Sequence, residues 1–408
     1  MTDAAPLPLP TARRAALLLA LATAIGGSVG PIAIGTGGIV GMSLLAPDQM
    51  ALATVPVSTY VVGSAAASIP AALSMRRLGR RTGFMLGASI GALGAALAAT
   101  AIILHVFWFF ALAMVLLGAG NAFGQQYRFA AADAAEPSFK ARAIAWVMAG
   151  GVVTGVLGPQ VAINARPLVP GVPLAGPFLT LVVLLIVTIA ILSRLVVPPP
   201  PPITAGTAPG RPLTSLLFRP KFLIALLSAV ASYALMSLVM TATPLAMIEH
   251  HHSQADAQIA IQWHVIAMFA PSFFTGNLIG RFGKSTVAAT GLLLIAAAAT
   301  IALSGTDLWQ FWSALILLGI GWNFGFIAST AMVAELYRPE EAFRVQAMNE
   351  FILFSVVAAA SFSSGGLLVT GGWNVVNLLV YPIVLSCVAL IVVQALVERR
   401  GTNRTALP

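Results

Sequence analysis

Polar and aromatic side chains set inside long apolar stretches carry whatever chemistry this chain performs, since a charge held in hydrocarbon costs ~3 kcal/mol or more. There are few of them. His264, in Gln262-Trp263-His264, lies about six residues into an apolar stretch that opens at residue 258, roughly 9 Å deep at 1.5 Å per residue. Its imidazole titrates near neutrality and suits proton transfer; a neutral ring hydrogen-bonded between two helices is the plainer alternative. Glu350 follows Asn349 and lies one turn beyond Gln346. It has the chemistry of a proton-carrying carboxylate, or of a partner for Arg344 or Arg142. Gln125-Gln126-Tyr127-Arg128 is the most polar run in any apolar stretch. Arg128 suits an anionic or carbonyl-bearing solute, although its spacing to Asp133 reads more simply as a structural pair. Asn121, Trp322 and Asn323 follow two recurring glycine runs, and Trp146 and Trp263 add flat apolar surface. Tyr60 precedes His264 by 204 positions, so two polar-tipped rings are expected to face one another.

A cavity with so little charge fits a neutral or amphipathic organic molecule, above all a planar ring that can stack. Sugars would call for more carboxylates and polyanions for more buried arginine. Glu249-His250-His251-His252 offers imidazoles to a metal, but it is a short loop run without cysteine, so neither metal nor cofactor is expected. No G-x-x-x-x-G-K-[ST] loop occurs, and no nucleophile, base and ligand cluster within a stretch, so an enzyme is not expected.

The elements that position these groups are membrane spans. Apolar residues make up 59% of the 408 residues and charged residues 8%, far too few to cover a soluble surface. Windows of about 20 apolar residues fall near 15–40, 49–72, 83–104, 106–128, 143–165 and 174–196, then 221–247, 258–279, 286–304, 309–334, 345–370 and 374–397. That is six and six, an all-α membrane protein of twelve transmembrane helices in two pseudo-symmetric six-helix bundles. The divisions follow: tail 1–14, bundle 15–196, linker 197–220 around Pro198–Pro202, bundle 221–397 and tail 398–408. The five consecutive prolines read as an extended linker.

With both termini in the cytoplasm, 20 of the 21 basic residues fall on the cytoplasmic side and only Arg166 outside. The formal charge of +9 therefore reflects membrane orientation, not nucleic-acid binding. Arg13-Arg14 and Ala22-Thr23-Ala24 imitate a cleavable leader, but apolarity runs on to Val40, as a first span requires. That span holds Gly26-Gly27-Ser28-Val29-Gly30-Pro31, which reads as tight helix packing or as a broken helix exposing backbone to a cavity.

The chain repeats itself. Leu117-Gly118-Ala119-Gly120-Asn121-Ala122-Phe123-Gly124 recurs as Leu318-Gly319-Ile320-Gly321-Trp322-Asn323-Phe324-Gly325, 201 positions on. Arg76-Arg77-Leu78-Gly79-Arg80-Arg81 recurs as Gly280-Arg281-Phe282-Gly283-Lys284, and Glu136…Arg142 as Glu335…Arg344. Three matches in one order imply two equivalent halves, a common plan of secondary transporters.

Twelve spans, a proline-rich centre and a basic glycine turn after spans 2 and 8 resemble the major facilitator superfamily along essentially the whole chain. Gly276-Asn277-Leu278-Ile279-Gly280-Arg281-Phe282-Gly283-Lys284 is similar to the family's signature turn, with Gly280 at the aspartate position. In the first copy Arg76 takes that position. The resemblance implies that these turns clasp neighbouring helices at the cytoplasmic face, through Arg77, Gly79, Arg80, Gly276, Arg281 and Gly283. Without the aspartates, Glu136 and Glu335 are expected to receive Arg77, Arg142, Arg281 or Arg344. Gly151-Val152-Val153-Thr154-Gly155-Val156-Leu157-Gly158-Pro159 is similar to the family's antiporter signature, with Ala162-Ile163 replacing its closing glycines.

The resemblance implies alternating access in a bacterial-type inner membrane, by a monomer in the lipid bilayer that moves a small-molecule substrate with a proton through His264 or Glu350. The Gly-Pro motif favours efflux of a drug or metabolite. Uptake of a vitamin-like planar heterocycle such as riboflavin is the alternative. A sensor or scaffold that keeps the fold is a reading of another class, set against polar groups at His264, Asn121, Asn323 and Arg128.

Overall fold

A computed structural model describes residues 7–197, 211–338 and 341–405. The expected linker core and the outermost tails lie outside the described residues, as does the side chain of Arg344. Sixteen helices follow in order: α1 Leu9–Gly26, α2 Val29–Ser43, α3 Val55–Leu78, α4 Arg80–Ile103, α5 Phe107–Gly124, α6 Tyr127–Asp133, α7 Pro137–Asn164 and α8 Gly176–Leu192. The second half holds α9 Leu213–Leu217, α10 Pro220–Glu249, α11 Gln254–Phe269, α12 Ser272–Phe282, α13 Lys284–Leu303, α14 Leu308–Ala334, α15 Ala342–Leu378 and α16 Val380–Thr405. The short α9 lies within the stretch expected to be an extended linker.

Helices dominate because backbone polar groups in hydrocarbon must be satisfied within their own segment. Hydroxyls obey the same rule by bonding back one turn, as Ser232 Oγ does to the Ser228 carbonyl at 2.8 Å and Thr243 Oγ1 to Val239 at 2.7 Å. Caps fix the starts. Ser253 and Asp256 form a capping box on α11, and Asp307 and Gln310 form one on α14.

Among the described residues, ten segments are long and apolar enough to cross a membrane, or eleven when α11 and α12, bent by 44°, count as one. The last segment, Met348–Val397, is 50 residues long and contains Gly372 at φ +69°, where the helix breaks. The first, Leu9–Ser43, tightens at Gly27-Ser28 between α1 and α2. Thr154 Oγ1 of α7 caps the Thr23 and Ala24 carbonyls there, at 2.7 and 3.3 Å, so this break serves packing instead of opening to a cavity.

The two halves are built alike. α5 packs between α3 and α4, and α14 packs on α13, α10 and α11. A Cβ on Gly118 would lie 1.9 Å from the Tyr60 carbonyl oxygen, and one on Gly319 would lie 2.6 Å from that of His264. The repeated glycines therefore mark where helix backbones cross. Gly79 and Gly283, both at φ +82°, make equivalent turns into α4 and α13 that only glycine adopts readily.

The halves meet through α2, α3 and α7 on one side and α10, α11 and α15 on the other. Their mutual hydrogen bonds lie on the face remote from the termini: Gln258 Nε2–H to the Gly35 carbonyl at 2.7 Å, Gln160 to Gln262 at 2.9 Å, Ser58 to Ser361 at 3.2 Å, the Gly365 amide to Thr54 at 3.2 Å, and Arg166 to Gln254. The core divides the same way. Buried residues of the first half near the termini, from Ala12 and Phe84 to Tyr127 and Leu195, form their own cluster. Those at the opposite face merge with the core of the second half.

Candidate functional site

Asn121, Gln125 and Arg128 are spaced i, i+4, i+7 along the stretch that joins α5 to α6, and Trp322, Phe326 and Ser329 occupy the matching positions of α14. The second set builds an aromatic cluster. Trp322 and Phe326 stack at 5.2 Å and 14°. Tyr233 of α10 meets Trp322 edge-on at 5.4 Å, Phe326 at 5.2 Å, and Phe354 of α15 at 5.7 Å. Phe269, the last residue of α11, stands 6.4 Å from Trp322. Such pairs contribute about 0.5–1.5 kcal/mol each beyond area burial, so the cluster is preformed. Sequence reading found only Trp322. Phe354 was signalled by its place one turn beyond Glu350, and Phe326 by its match to Gln125, but nothing along the chain marked Tyr233.

Charge enters this cluster from both halves. Arg128, at the start of α6, interacts electrostatically with Glu350 of α15 and with Tyr233. The expected pairing of Arg128 with Asp133 is not formed: Asp133 takes Arg80 at 2.5 Å instead. Nor is Glu350 a partner of Arg142, which is exposed. Its other contact is the Asn349 side-chain amide, which hydrogen-bonds the carboxylate. Tyr60 interacts electrostatically with Tyr233 from the first half, and it is buried. Two polar groups of the first half, Arg128 and Tyr60, thus interact with the aromatic wall of the second.

His264 is elsewhere. It is fully buried within the second half, where Nδ1 and the Leu315 carbonyl oxygen of α14 lie 2.7 Å apart. Tyr60 and His264 are equivalent in backbone but do not face one another, because helix rotation sends one ring to the boundary and the other into α14. Asn323 is saturated by the Met268 carbonyl at 2.6 Å, Ser272 Oγ at 2.7 Å and Thr275 Oγ1 at 2.6 Å. Asn121 donates to Ser64 Oγ at 3.3 Å. Gln125 is exposed, as are Trp146, edge-on to Phe139 at 5.4 Å, and Trp263. In the histidine run, His252 bonds the Thr306 carbonyl at 2.7 Å and packs on Phe311.

The glycine turns carry ion pairs of equivalent placement, Arg80–Asp133 in the first half and Lys284–Glu335 in the second. Glu335 therefore receives a lysine from the turn itself and not one of the expected arginines. Arg77, Glu136 and Arg142 are exposed, Gly276 has open space around it, and Arg281 lies over the Phe282 ring at 5.3 Å. A third pair ties the linker to the second half. Arg211 grips Glu341 through Nε at 2.7 Å and Nη2 at 2.6 Å, and the guanidinium holds that carboxyl well below the usual carboxylate range.

Among the described residues, four polar atoms around the cluster lack a partner: Trp322 Nε1, Asn349 Oδ1, Arg128 Nε and, on α14, Ser329 Oγ. An orphaned buried polar atom costs about 1–3 kcal/mol, which any group able to hydrogen-bond it would offset.

A family model described as the Major Facilitator Superfamily matches residues 225–407. The chain is 47% identical over 385 residues to the riboflavin transporter RfnT of Brucella anthropi, covering 94% of this chain and 95% of that protein. It is 29% identical over 358 residues to the uncharacterized MFS-type transporter YddS of Bacillus subtilis, covering 83% and 81%. To YdeG of the same organism, also an uncharacterized MFS-type transporter, it is 28% identical over 396 residues, covering 91% of each.

Proposed function

The chain belongs to the Major Facilitator Superfamily of multi-pass membrane transporters, and we propose that the solute it carries is a planar heteroaromatic of the riboflavin type. The single observation behind this reading is the ring wall of Tyr233, Trp322, Phe326 and Phe354, open to an arginine and a carboxylate from opposite halves. Flat apolar surface with few charges suits stacking on a neutral ring system. The named function of the riboflavin transporter that matches 94% of the chain supports it.

In this reading α11 with α12 is one span and Met348–Val397 is two, so the chain crosses twelve times as two six-helix bundles, 15–196 and 221–397. Both termini are cytoplasmic in an inner membrane, because the basic residues collect on that side. The chain works as a monomer, since both walls of the path come from one polypeptide. The hydrogen bonds between the halves on the face remote from the termini support a state closed on that side. Transport runs inward. The reason for expecting efflux was the Gly-Pro motif, and its glycines serve packing: a Cβ on Gly155 would lie 3.1 Å from the Ile266 amide and one on Gly158 2.8 Å from Pro31.

A proton on Glu350 would cancel its attraction for Arg128 and so shift the balance between the two halves. We therefore assign proton coupling to Glu350, and to His264 a structural role. The test is uptake of labelled riboflavin by the purified protein in liposomes with an acid exterior. Accumulation that a protonophore abolishes is expected, and Glu350→Gln should retain exchange but lose the gradient response. Absence of riboflavin flux in either direction overturns the reading.

A further inference from the structure

The unpartnered atoms of the cluster differ in kind, and the difference is informative. Trp322 Nε1–H and Arg128 Nε–H can only donate. Asn349 turns its NH2 toward the Glu350 carboxylate, which accepts only, so its carbonyl Oδ1 faces away as a free acceptor. Trp322 is 7% exposed and Asn349 4%. Asn323 and Thr275 satisfy one another at 2.6 Å, whereas His264 Nε2, Ser329 Oγ and Asn377 Oδ1 of this half also lack a partner. Trp322, Asn349 and Arg128 are distinguished by sharing one neighbourhood: Tyr233 touches Trp322 and interacts with Arg128, and Glu350 interacts with both Arg128 and Asn349.

We propose that Trp322, Asn349 and Arg128 read the cyclic imide edge of the solute, two donors taking its two carbonyl oxygens and one acceptor taking the N–H between them. This rests on the riboflavin-type reading above and specifies which edge of the ring is recognised. Two donors and one acceptor are the complement, in kind, of a C(=O)–NH–C(=O) segment. Trp322 and Phe326, stacked on one another, offer a flat apolar face to the ring. Selectivity follows, because a site built to hydrogen-bond a group rejects an analogue that lacks it far more strongly than it senses a missing methyl.

Competition against labelled riboflavin in liposomes tests this with two analogues. N3-methylriboflavin keeps both carbonyls but loses the imide N–H; 7,8-didemethylriboflavin keeps the imide and loses two methyls. The first is expected to compete at least about tenfold more weakly than riboflavin, the second within about threefold. Asn349→Ala should narrow the gap between riboflavin and its N3-methyl analogue to about threefold or less. Equal competition by riboflavin and N3-methylriboflavin in the wild-type protein, with riboflavin itself transported, overturns the imide assignment and leaves the transport reading standing. No riboflavin transport overturns the reading beneath it. The analogue comparison needs no variant, so a folding defect in Asn349→Ala does not shield the proposal.

Discussion

Gln258 donates its Nε2–H to the Gly35 carbonyl at 2.7 Å and so ties the second half of the chain to the first at the face remote from the termini. A Cβ at position 35 would lie 2.7 Å from Gln258 Oε1, so a larger residue there would displace the amide. With the Gln160–Gln262 and Arg166–Gln254 bonds this makes a polar seam. Gln258→Ala should weaken it by about 1 kcal/mol, roughly fivefold in the population opened at that face. In a Cys387→Ser background, Thr36→Cys is expected to label about fivefold faster with an impermeant maleimide. Labelling at the wild-type rate would remove the seam from the closing mechanism.

The Arg211–Glu341 pair gives stability a pH dependence of known sign. The Glu341 carboxyl is held below its ordinary value of 4.5, so the pair stabilises above that pH and its contribution fades as acid protonates the folded form. Glu341→Gln should lower the melting temperature at pH 7, and the gap from wild type should narrow below about pH 4.5. Thermal melts of both proteins in detergent across that range read the effect. A gap that stays constant with pH would mean the carboxylate charge contributes nothing.

Gly118 and Gly319 fill equivalent crossings, but the first is tighter. Gly118→Ala must part α5 from the Tyr60 carbonyl, where the new Cβ would come within 1.9 Å, against 2.6 Å for Gly319→Ala at His264. Both should destabilise by about 1–3 kcal/mol, Gly118→Ala the more. Folded yield by size-exclusion chromatography checks the order. A wild-type yield for Gly118→Ala would contradict the crossing.

His264 is tied to the Leu315 carbonyl and to nothing at the half boundary. Asparagine can donate to that carbonyl. His264→Asn should keep the transport pH profile, whereas His264→Ala should lose about 1–3 kcal/mol of stability. Transport rates from pH 5 to 8 in His264→Asn decide the matter, and a displaced profile would return the proton to His264.

Much of the candidate site was legible one residue at a time and little of it as an arrangement. Arg128, Glu350, Tyr60 and Trp322 stood out because polar or amphipathic groups are scarce in these stretches. Their partners did not. Spacing suggested Asp133 for Arg128, yet the turn at Gln125-Gln126 turns α6 so that Asp133 meets Arg80 and Arg128 meets Glu350, 222 positions away. Tyr233 was silent because a tyrosine in an apolar run is ordinary until three rings from other segments close on it.

By itself the sequence determined an all-helical, multi-pass membrane transporter and the glycine positions repeated in its two halves. These rest on local quantities: apolar length against bilayer thickness, and glycines wherever two backbones must touch. Only the tertiary structure decided which polar groups reach the boundary between the halves and which are spent on packing, as at Tyr60 and His264. The physical reason is that helices apolar on every side carry no stripe that fixes their rotation. Rotation is set by close packing against neighbours from distant parts of the chain.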